Sequence, residues 1–333
     1  MKKLHIELVF AIVAATFGFV NARANPSANS PLTTWRDLGH GVWLVPEEVR
    51  PDREPDGNSV IFAVTSGLVV FDTGRHEWHR NAILALADNK KAPIVAIFNS
   101  HWHLDHVSGN PTLRARYPGL RVYASDAIDG ALRSFLADSA KESPEYVDDP
   151  QIPKGMREDI RADLGSIQNG AALRPDEVID ASRDVKIGGR TFRVKLARDA
   201  ATHGDIWIYD PASGVAALGD LVTFPAPYLD TACPEGWSAA LKVVVDTPFK
   251  TAIPGHGPVL TRPQVVLYQH AFDAFIACAG SSDSQQLCTN QWAESLKVLL
   301  AGQPFDAIRA GKVASYYVDL LRANGGRSRY CQS

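Results

Sequence analysis

The sequence predicts an α/β protein. Short apolar runs of strand length alternate along the chain with longer segments whose apolar residues recur at helical spacing. Two pairs of apolar runs are joined by turn residues, at Ser66-Gly67 and at 210–214, which predicts one hairpin in each half. Hydrophobic residues make up 45% of the chain and charged residues 21%, which is usual for a globular protein. The 333 residues suffice for one large domain or two small ones.

The N-terminal half is predicted to alternate strands with helices. Its predicted strands lie at 41–45, 59–65, 68–71, 94–98 and 120–124, and its predicted helices at 77–89, 110–116 and 125–138. Residues 139–174 carry many charges and several prolines, with one modest helical pattern at 156–164. Because long structureless segments in compact domains are usually functional or disordered, we expect an insertion or lid here, with a mobile surface excursion as the alternative.

The β pattern returns after residue 178. Predicted strands lie at 185–187, 191–196, 205–209, 215–218 and 251–253, and predicted helices at 237–245, 262–279, 285–300 and 305–322. A loop at 223–236, rich in proline and aromatic residues, separates two of these elements. Its side chains Thr223, Phe224, Tyr228 and Asp230 are expected to wall a substrate pocket, since such pockets are mostly apolar with a few orienting polar groups.

The densest group of chemically active side chains follows the predicted strand at 94–98. His101, His103, Asp105 and His106 fall within six residues. In extended backbone the side chains alternate between faces, so the first three can project together, and a turn after Leu104 would bring His106 to them. Imidazole nitrogen combined with carboxylate oxygen suits zinc. The stretch therefore predicts a metal site, with a polar loop of solvated histidines as the alternative.

This stretch resembles the His-x-His-x-Asp-His signature of the metallo-β-lactamase superfamily. Three further segments follow the family's order: Phe-Asp-Thr-Gly at 71–74, Leu-Gly-Asp at 218–220 and Pro-Gly-His-Gly at 254–257. The resemblance covers roughly residues 41–257. It implies a four-layer αβ/βα sandwich with metals at one edge, followed here by C-terminal helices.

The resemblance also implies a two-metal site with a carboxylate between the ions. The implied ligands of the first metal are His101 and His103, and those of the second are Asp105, His106 and His256. Asp220 is implied as the bridge between the two metals. Asp105 is taken as catalytic as well, and Asp72 is expected behind the loop, orienting it. Two zinc ions about 3.5–4 Å apart can share a hydroxide, lower its pKa toward neutrality and polarise a carbonyl. One or two zinc ions are expected, with iron and manganese as alternatives.

One position departs from the family's pattern. The family usually has Gly-His-Thr-x-Gly-Asp, whereas residues 200–205 read Ala-Ala-Thr-His-Gly-Asp, which puts Ala201 at the ligand position. Ala201 and His203 would lie on the same face of an extended strand. We therefore favour His203 as the replacement ligand, with a first site that lacks its third histidine as the alternative.

The N-terminus has the pattern of a signal peptide. Lys2 and Lys3 precede an apolar run at 8–20, and Ala22-Arg23-Ala24 supplies a small-x-small cleavage site. The run is too short to span a bilayer as a mature helix, although a retained anchor is the alternative. The predicted division is a signal peptide at 1–24, a flexible lead-in at 25–34, the main domain at 35–260 and a helical extension at 261–333. A periplasmic or secreted protein is expected.

Four cysteines in an exported protein suggest disulfides, and four cysteines allow three connectivities. Cys278 and Cys288 flank a predicted turn between two helices and are the natural pair. Cys233 with Cys331 would then tie the tail to the body of the protein. Buried, inert thiols are the alternative.

The charge balance and the resemblance together indicate a class of function. Lys and Arg number 34 against 37 Asp and Glu, so no basic excess attracts a phosphate backbone and no nucleic-acid partner is expected. We expect a zinc-dependent hydrolase that uses a metal-activated hydroxide on a small-molecule ester, lactone, thioester or amide, β-lactams included. A mononuclear iron dioxygenase of the same fold and a metal-binding protein without catalysis are the alternatives. No stable membrane anchor is expected after processing, and the pattern leaves the substrate and oligomeric state open.

Cleavage after Ala24 would give a mature protein that begins at Asn25, because 22–24 is the only small-x-small site after the apolar run. N-terminal sequencing of protein recovered from a bacterial periplasm is expected to read from Asn25. A preparation that still begins at Met1 would contradict this prediction.

Overall fold

Two mixed β-sheets form the frame of the protein in a computed structural model, which describes residues 35–50, 52–301 and 307–331. The predicted signal peptide at 1–24 and lead-in at 25–34 lie outside the described residues. The first sheet has seven strands in sequence order: β1 (Arg36–Gly39), β2 (Val42–Val45), β3 (Ser59–Val64), β4 (Gly67–Phe71), β5 (Ile94–Phe98), β6 (Arg121–Ala124) and β7 (Glu177–Val178). Neighbours from β1 to β4 pair antiparallel, and those from β4 to β7 pair parallel.

Helices connect the parallel strands of this sheet, as parallel pairing requires. They are α1 (Glu77–Lys90), α2 (Leu104–Val107), α3 (Asn110–Arg116), α4 (Ala127–Ala131), α5 (Phe135–Glu142), α6 (Pro144–Val147) and α7 (Lys154–Gln168). The helix predicted at 125–138 is divided into α4 and α5, because Ser134 between them has φ −124° and ψ −102°, outside the helical region. The segment at 139–174 thus belongs to the crossover from β6 to β7, and most of it is helical.

The second sheet has six strands in the order β13-β12-β11-β10-β9-β8. Their bounds are β8 (Arg183–Ile187), β9 (Arg190–Arg198), β10 (Gly204–Asp210), β11 (Val215–Gly219), β12 (Thr251–Pro254) and β13 (Leu260–Thr261). Only β11 and β12 run parallel to each other, and helix α8 (Pro234–Asp246) connects them. The chain continues through α9 (Arg262–Ala279), α10 (Gln285–Leu300) and α11 (Ala307–Ala323).

Apolar side chains fill three interfaces, and these define four layers. Between the sheets, Phe62 and Phe98 contact Phe192, with ring centroids 5.3 and 5.6 Å apart. On the outer face of the first sheet, Ile83 and Leu86 of α1 pack against its strands. On the outer face of the second sheet, α8, α9, α10 and α11 form the largest cluster. The order helix, sheet, sheet, helix confirms the predicted αβ/βα sandwich.

The four cysteines form the two expected pairs. Cys278 and Cys288 join the end of α9 to the start of α10, with Cα atoms 5.5 Å apart. Cys233, at the start of α8, bonds to Cys331 in the tail, with Cα atoms 5.2 Å apart. The tail after α11 is therefore fastened to the body of the protein. Within the described ranges, none of the helices has the length and apolar character needed to cross a bilayer.

Replacement of Gly236 by alanine is expected to destabilise the protein. A Cβ at this position of α8 would lie 1.9 Å from the backbone oxygen of Asp199, so the backbone must move. Overpacking of this kind costs about 1–3 kcal/mol. Gly165→Ala in α7 is the matched control, since its Cβ would meet nothing within 4 Å and should add about 0.5–1 kcal/mol of stability. Urea unfolding of both variants tests this, and equal midpoints would contradict it.

Candidate metal centre

Loops from both sheets meet at one edge of the sandwich. The loop after β5 and the short helix α2 carry the cluster at 101–106, while Asp220 follows β11 and His256 follows β12. All of these side chains are buried or nearly so. Close approach of the loops requires a glycine beside the cluster, because a Cβ at Gly255 would lie 1.9 Å from Asp220 Oδ1. The edge where the carboxyl ends of these strands meet is thus the candidate site.

A buried carboxylate lies behind the first loop. Asp72 follows β4, with φ +60°, and accepts hydrogen bonds from Ser100 N and Ser100 Oγ, both at 2.7 Å. His106 Nδ1 lies 2.9 Å from the same carboxylate and donates to it. Because Ser100 Oγ uses its proton on Asp72, it must accept from His101 Nδ1, 2.8 Å away. Both rings therefore carry their proton on Nδ1 and present a free lone pair on Nε2.

The other two histidines are oriented in the same manner by different partners. Thr231 Oγ1 donates to the carbonyl oxygen of Ala201, so it accepts from His103 Nε2 at 3.1 Å and leaves Nδ1 free. His256 Nδ1 donates to Glu47 Oε2 at 3.1 Å, which leaves Nε2 to face the carboxylates of Asp105 and Asp220. Such outer hydrogen bonds commonly fix the tautomer and orientation of metal-binding histidines.

The four free nitrogens converge on Asp220 in two pairs. Its Oδ2 lies 3.6 Å from His101 Nε2 and 3.9 Å from His103 Nδ1. Its Oδ1 lies 3.3 Å from His106 Nε2 and 3.7 Å from His256 Nε2. Each carboxylate oxygen thus faces its own pair of histidines, as a carboxylate between two cations would.

Asp105 completes the second half of the cluster. Its Oδ2 lies 3.0 Å from His256 Nε2 and 3.6 Å from His106 Nε2, and its Oδ1 lies 3.9 Å from the Arg75 guanidinium. Burial alone would raise the pKa of Asp105, but the charges of His106, His256 and Arg75 outweigh burial and hold the pKa well below its usual range. Asp105 is therefore ionised.

The donor atoms fit a divalent metal such as zinc. His101 Nε2 and Asp220 Oδ1 are buried without a hydrogen-bond partner, and His106 Nε2 faces His256 Nε2 at 3.3 Å. Burial disfavours the charged rings, yet the surrounding carboxylates raise the pKa of His106 well above its ordinary value and that of His256 to about 10. A metal cation bound to these atoms would balance the same carboxylates, since imidazole nitrogen and carboxylate oxygen both suit zinc.

A cavity of about 420 Å³ opens onto the cluster, and His103, Asp105, Asp220 and His256 line it. The four pocket residues predicted from the loop at 223–236 also line it: Thr223, Phe224, Tyr228 and Asp230. Helices α5 and α7 of the insertion supply a second wall, and α11 with the tail supplies a third. The segment at 139–174 therefore contributes to the wall of the cavity.

Comparison with known proteins shows where the chain belongs. The family model of the metallo-beta-lactamase superfamily matches residues 53–256, more than half of the chain. The chain is a member of the metallo-β-lactamase superfamily. Its fold resembles a metallo-beta-lactamase from Pontibacter korlensis (TM-score 0.51, 19% identity, 72% of this chain and 98% of that one). It also resembles the sec-alkylsulfatase Pisa1 from a Pseudomonas species (TM-score 0.58, 16% identity, 86% of this chain and 50% of that one).

Curated relatives match only a short stretch. A hydroxyacylglutathione hydrolase of Synechococcus sp. (strain JA-2-3B'a(2-13)) is 54% identical over 41 residues, 12% of this chain and 16% of that protein. The protein of the same name from Gloeobacter violaceus is 62% identical over 32 residues, 10% of this chain and 13% of that protein. The chain thus spans about a sixth or less of the length of these relatives.

The structure corrects the expectation for His203. Its Nδ1 lies 2.6 Å from Asp199 Oδ1 and its Nε2 lies 2.8 Å from the carbonyl oxygen of Tyr330, so both nitrogens are engaged away from the cluster. The expectation assumed extended backbone, but β9 ends at Arg198 and β10 begins at Gly204. The residues between them form a bend, in which alternation of faces does not hold.

The superfamily's usual ligand position holds a buried alanine in this chain. Ala201 has no side-chain donor, and its carbonyl oxygen is used by Thr231. Thr231 in turn supports His103. His101 and His103 offer imidazole nitrogens to Asp220 Oδ2 at 3.6 and 3.9 Å.

Several residues of the site carried no signal in the sequence. Glu47 follows β2 and supports His256 through His256 Nδ1 and the backbone N–H of Gly257, at 3.1 and 2.7 Å. Thr231 lies in the loop at 223–236, and Arg75 directly follows the Phe-Asp-Thr-Gly segment at 71–74, but no role was predicted for either. All three contact residues that are distant in the sequence, so local spacing did not reveal these contacts.

Thr231→Val is expected to weaken zinc binding about 10–100-fold, because His103 would lose the partner that orients it. Thr231→Ser keeps the hydroxyl and should bind zinc as the parent does. Competition titration with a zinc-binding dye measures both variants. His203→Ala serves as a second control, since its ring lies outside the cluster and its loss should leave the zinc stoichiometry unchanged. This assignment would be overturned if His203→Ala bound fewer zinc ions than the parent protein, or if Thr231→Val bound zinc as tightly as the parent protein.

Proposed function

We propose that the protein is a metal-dependent hydrolase that cleaves an ester, lactone, thioester or amide, β-lactams included. The observation that carries the proposal is the arrangement around Asp220. Each of its two oxygens faces a pair of histidines whose outer nitrogens are hydrogen-bonded to other groups and whose inner nitrogens point toward the carboxylates of the cluster. This arrangement suits two cations side by side better than one.

The ligand roles divide between the two halves of the cluster. The first ion would be held by His101 and His103, the second by Asp105, His106 and His256, with Asp220 shared. When bound there, two zinc ions would lower the pKa of a water molecule toward neutrality and polarise the carbonyl group of a substrate. With two histidines and one shared carboxylate, the first half leaves more room for a substrate atom than the second.

Asp105 is the residue that can take a proton from the attacking water. It is ionised. Its Oδ1 lies 3.9 Å from the Arg75 guanidinium, which is beyond hydrogen-bond distance. That oxygen could accept a hydrogen bond from the attacking water and pass its proton on to the leaving group, and because its pKa is held low it would keep the proton only transiently. Arg75 would orient the carboxylate by charge, and Asp163 holds Arg75 from its other side.

The names of the curated relatives support hydrolysis of a thioester as one member of this substrate range. Hydroxyacylglutathione hydrolases are named for cleavage of a glutathione conjugate, and the chain matches them over 32 to 50 residues. The two disulfides support an oxidising location, in the periplasm or outside the cell, for the reaction.

Asp105→Ala is expected to lower kcat/KM by at least about 100-fold and to reduce the zinc content, because the variant loses both a ligand and a proton acceptor. Purified zinc-loaded protein would be assayed against a panel of esters, lactones, thioesters, amides and β-lactams, with His203→Ala as the control that keeps its turnover. Retained hydrolysis in Asp105→Ala would contradict the proposed role.

The same preparation separates the two alternatives. A mononuclear iron dioxygenase would contain about one iron per chain and consume oxygen, and a binding protein would hold metal without turning over any member of the panel. Metal analysis and an oxygen electrode distinguish these outcomes from a hydrolase with zinc.

A further inference from the structure

The cavity above the cluster has walls that the superfamily match does not include. The match ends at residue 256, whereas α11 and the tail at 324–330 form one complete side of the cavity. The bond between Cys233 and Cys331 fastens that side in place. The shape and chemistry of the cavity are therefore properties of this chain, to be deduced from its own side chains.

Most of the wall away from the cluster is apolar. Many of its aliphatic and phenyl side chains come from α5, α7 and α11: Phe135, Leu136, Ile160, Leu164, Ile167, Val313 and Leu320. The insertion and α11 thus present apolar surface to the same space. A ligand that fills this space gains most by burying apolar groups of its own.

Three of the four tyrosines of the wall, all except Tyr228, have their hydroxyl groups engaged by protein carboxylates. Tyr316 and Tyr317 donate to Asp230, at 2.8 and 3.0 Å, and Tyr330 donates to Asp138 at 2.8 Å. With the polar ends of these side chains held by the protein, the part available to a ligand is the aromatic ring. The tyrosines therefore add to the apolar character of the wall.

The arginines of the cavity are also paired. Arg53 is bonded to Asp159 and Arg75 to Asp163, both inside the protein. The other two form ion pairs nearer the solvent, Arg50 with Glu48 and Arg329 with Asp138, at 2.7 and 3.7 Å. Each lining arginine thus already has a carboxylate partner, and the two buried arginines, Arg53 and Arg75, are held by theirs inside the protein.

Carboxylates outnumber arginines along the wall. Apart from the ligands Asp105 and Asp220, the lining carboxylates are Glu47, Glu54, Asp138, Glu142, Asp163 and Asp230, against four arginines. An additional negative charge in this space would meet repulsion and would lose its hydration without a partner.

We infer that the cavity selects substrates whose non-reacting part is uncharged and apolar, of the size of an aromatic ring system or a medium acyl chain, and rejects those that carry a carboxylate there. The inference rests on the proposed function for the reacting end of the substrate. It names the class of substrate: a neutral, apolar ester, lactone, thioester or amide. A conjugate with an anionic carrier is excluded from this class.

A matched pair of ligands tests the inference without requiring turnover. The zinc-loaded protein would be titrated calorimetrically with N-(2-naphthyl)acetamide and with 6-acetamido-2-naphthoate, which differ by one distal carboxylate. The neutral amide is expected to bind at least about 10-fold more tightly. Equal or tighter binding of the carboxylate overturns the inference, and so does the absence of binding by both ligands at millimolar concentration.

A charge variant gives a second, independent test. Asp163→Asn removes the carboxylate that engages Arg75 and should raise the affinity for the naphthoate several-fold relative to the neutral amide. Asp148→Asn is the matched control, because Asp148 is on the same insertion, is 90% exposed and does not line the cavity. The inference is contradicted if Asp163→Asn leaves the ratio of the two ligand affinities unchanged. It is also contradicted if both variants change this ratio by the same factor.

Turnover is then measured with the corresponding esters, 2-naphthyl acetate and 6-acetoxy-2-naphthoate. A preference for the neutral ester in kcat/KM supports both the proposed function and the inference. If the protein binds the neutral amide selectively but hydrolyses neither ester, the proposed hydrolase activity is contradicted. The inferred selectivity of the cavity is supported in that case. Hydrolysis that favours the anionic ester would overturn the selectivity and leave the hydrolase standing.

Discussion

The arrangement of the site depends on one buried carboxylate, that of Asp72. It accepts both the backbone N–H and the hydroxyl of Ser100 and also faces His106, so it fixes the loop after β5 at two points. Through the Ser100 hydroxyl it determines the tautomer of His101 as well. A single side chain at the end of β4 thus aims two of the four inner nitrogens. An uncompensated carboxylate in this position would be costly, and its three donors are what make its burial tolerable.

The two halves of the sandwich contribute differently to the cluster. The first sheet supplies one compact loop whose geometry is set locally, by residues close together in the sequence. The second sheet supplies Asp220 and His256 singly, each at the end of a strand, and each is positioned by the docking of the two sheets. Glu47, on the first-sheet side, reaches across this boundary to His256 and to the backbone of Gly257. The cluster is therefore also a contact between the two halves.

The α/β class and the local part of the site followed from short-range patterns in the sequence, whereas the four-layer sandwich was implied by the resemblance to the superfamily. Helices α9 and α10 have the predicted bounds, since long amphipathic segments with clear ends are well specified. The loop at 101–106 was found from its spacing alone. Glu47 and Thr231 were not, since they meet their histidines across 209 and 128 residues of chain. His203 was misplaced because the argument assumed a strand where the backbone bends, and Asp199, with φ +52°, begins that bend.

The disulfide between Cys233 and Cys331 has a consequence for the order in which the protein acquires its properties during synthesis. All of the proposed ligands, the last of them His256, leave the ribosome before the tail that completes the cavity. The bond that fixes the tail must wait for residue 331 and for an oxidant. A chain whose tail is not yet bonded would therefore hold the proposed ligands without the complete wall of the cavity. Slow oxidation would lengthen that interval, during which the site would be least selective.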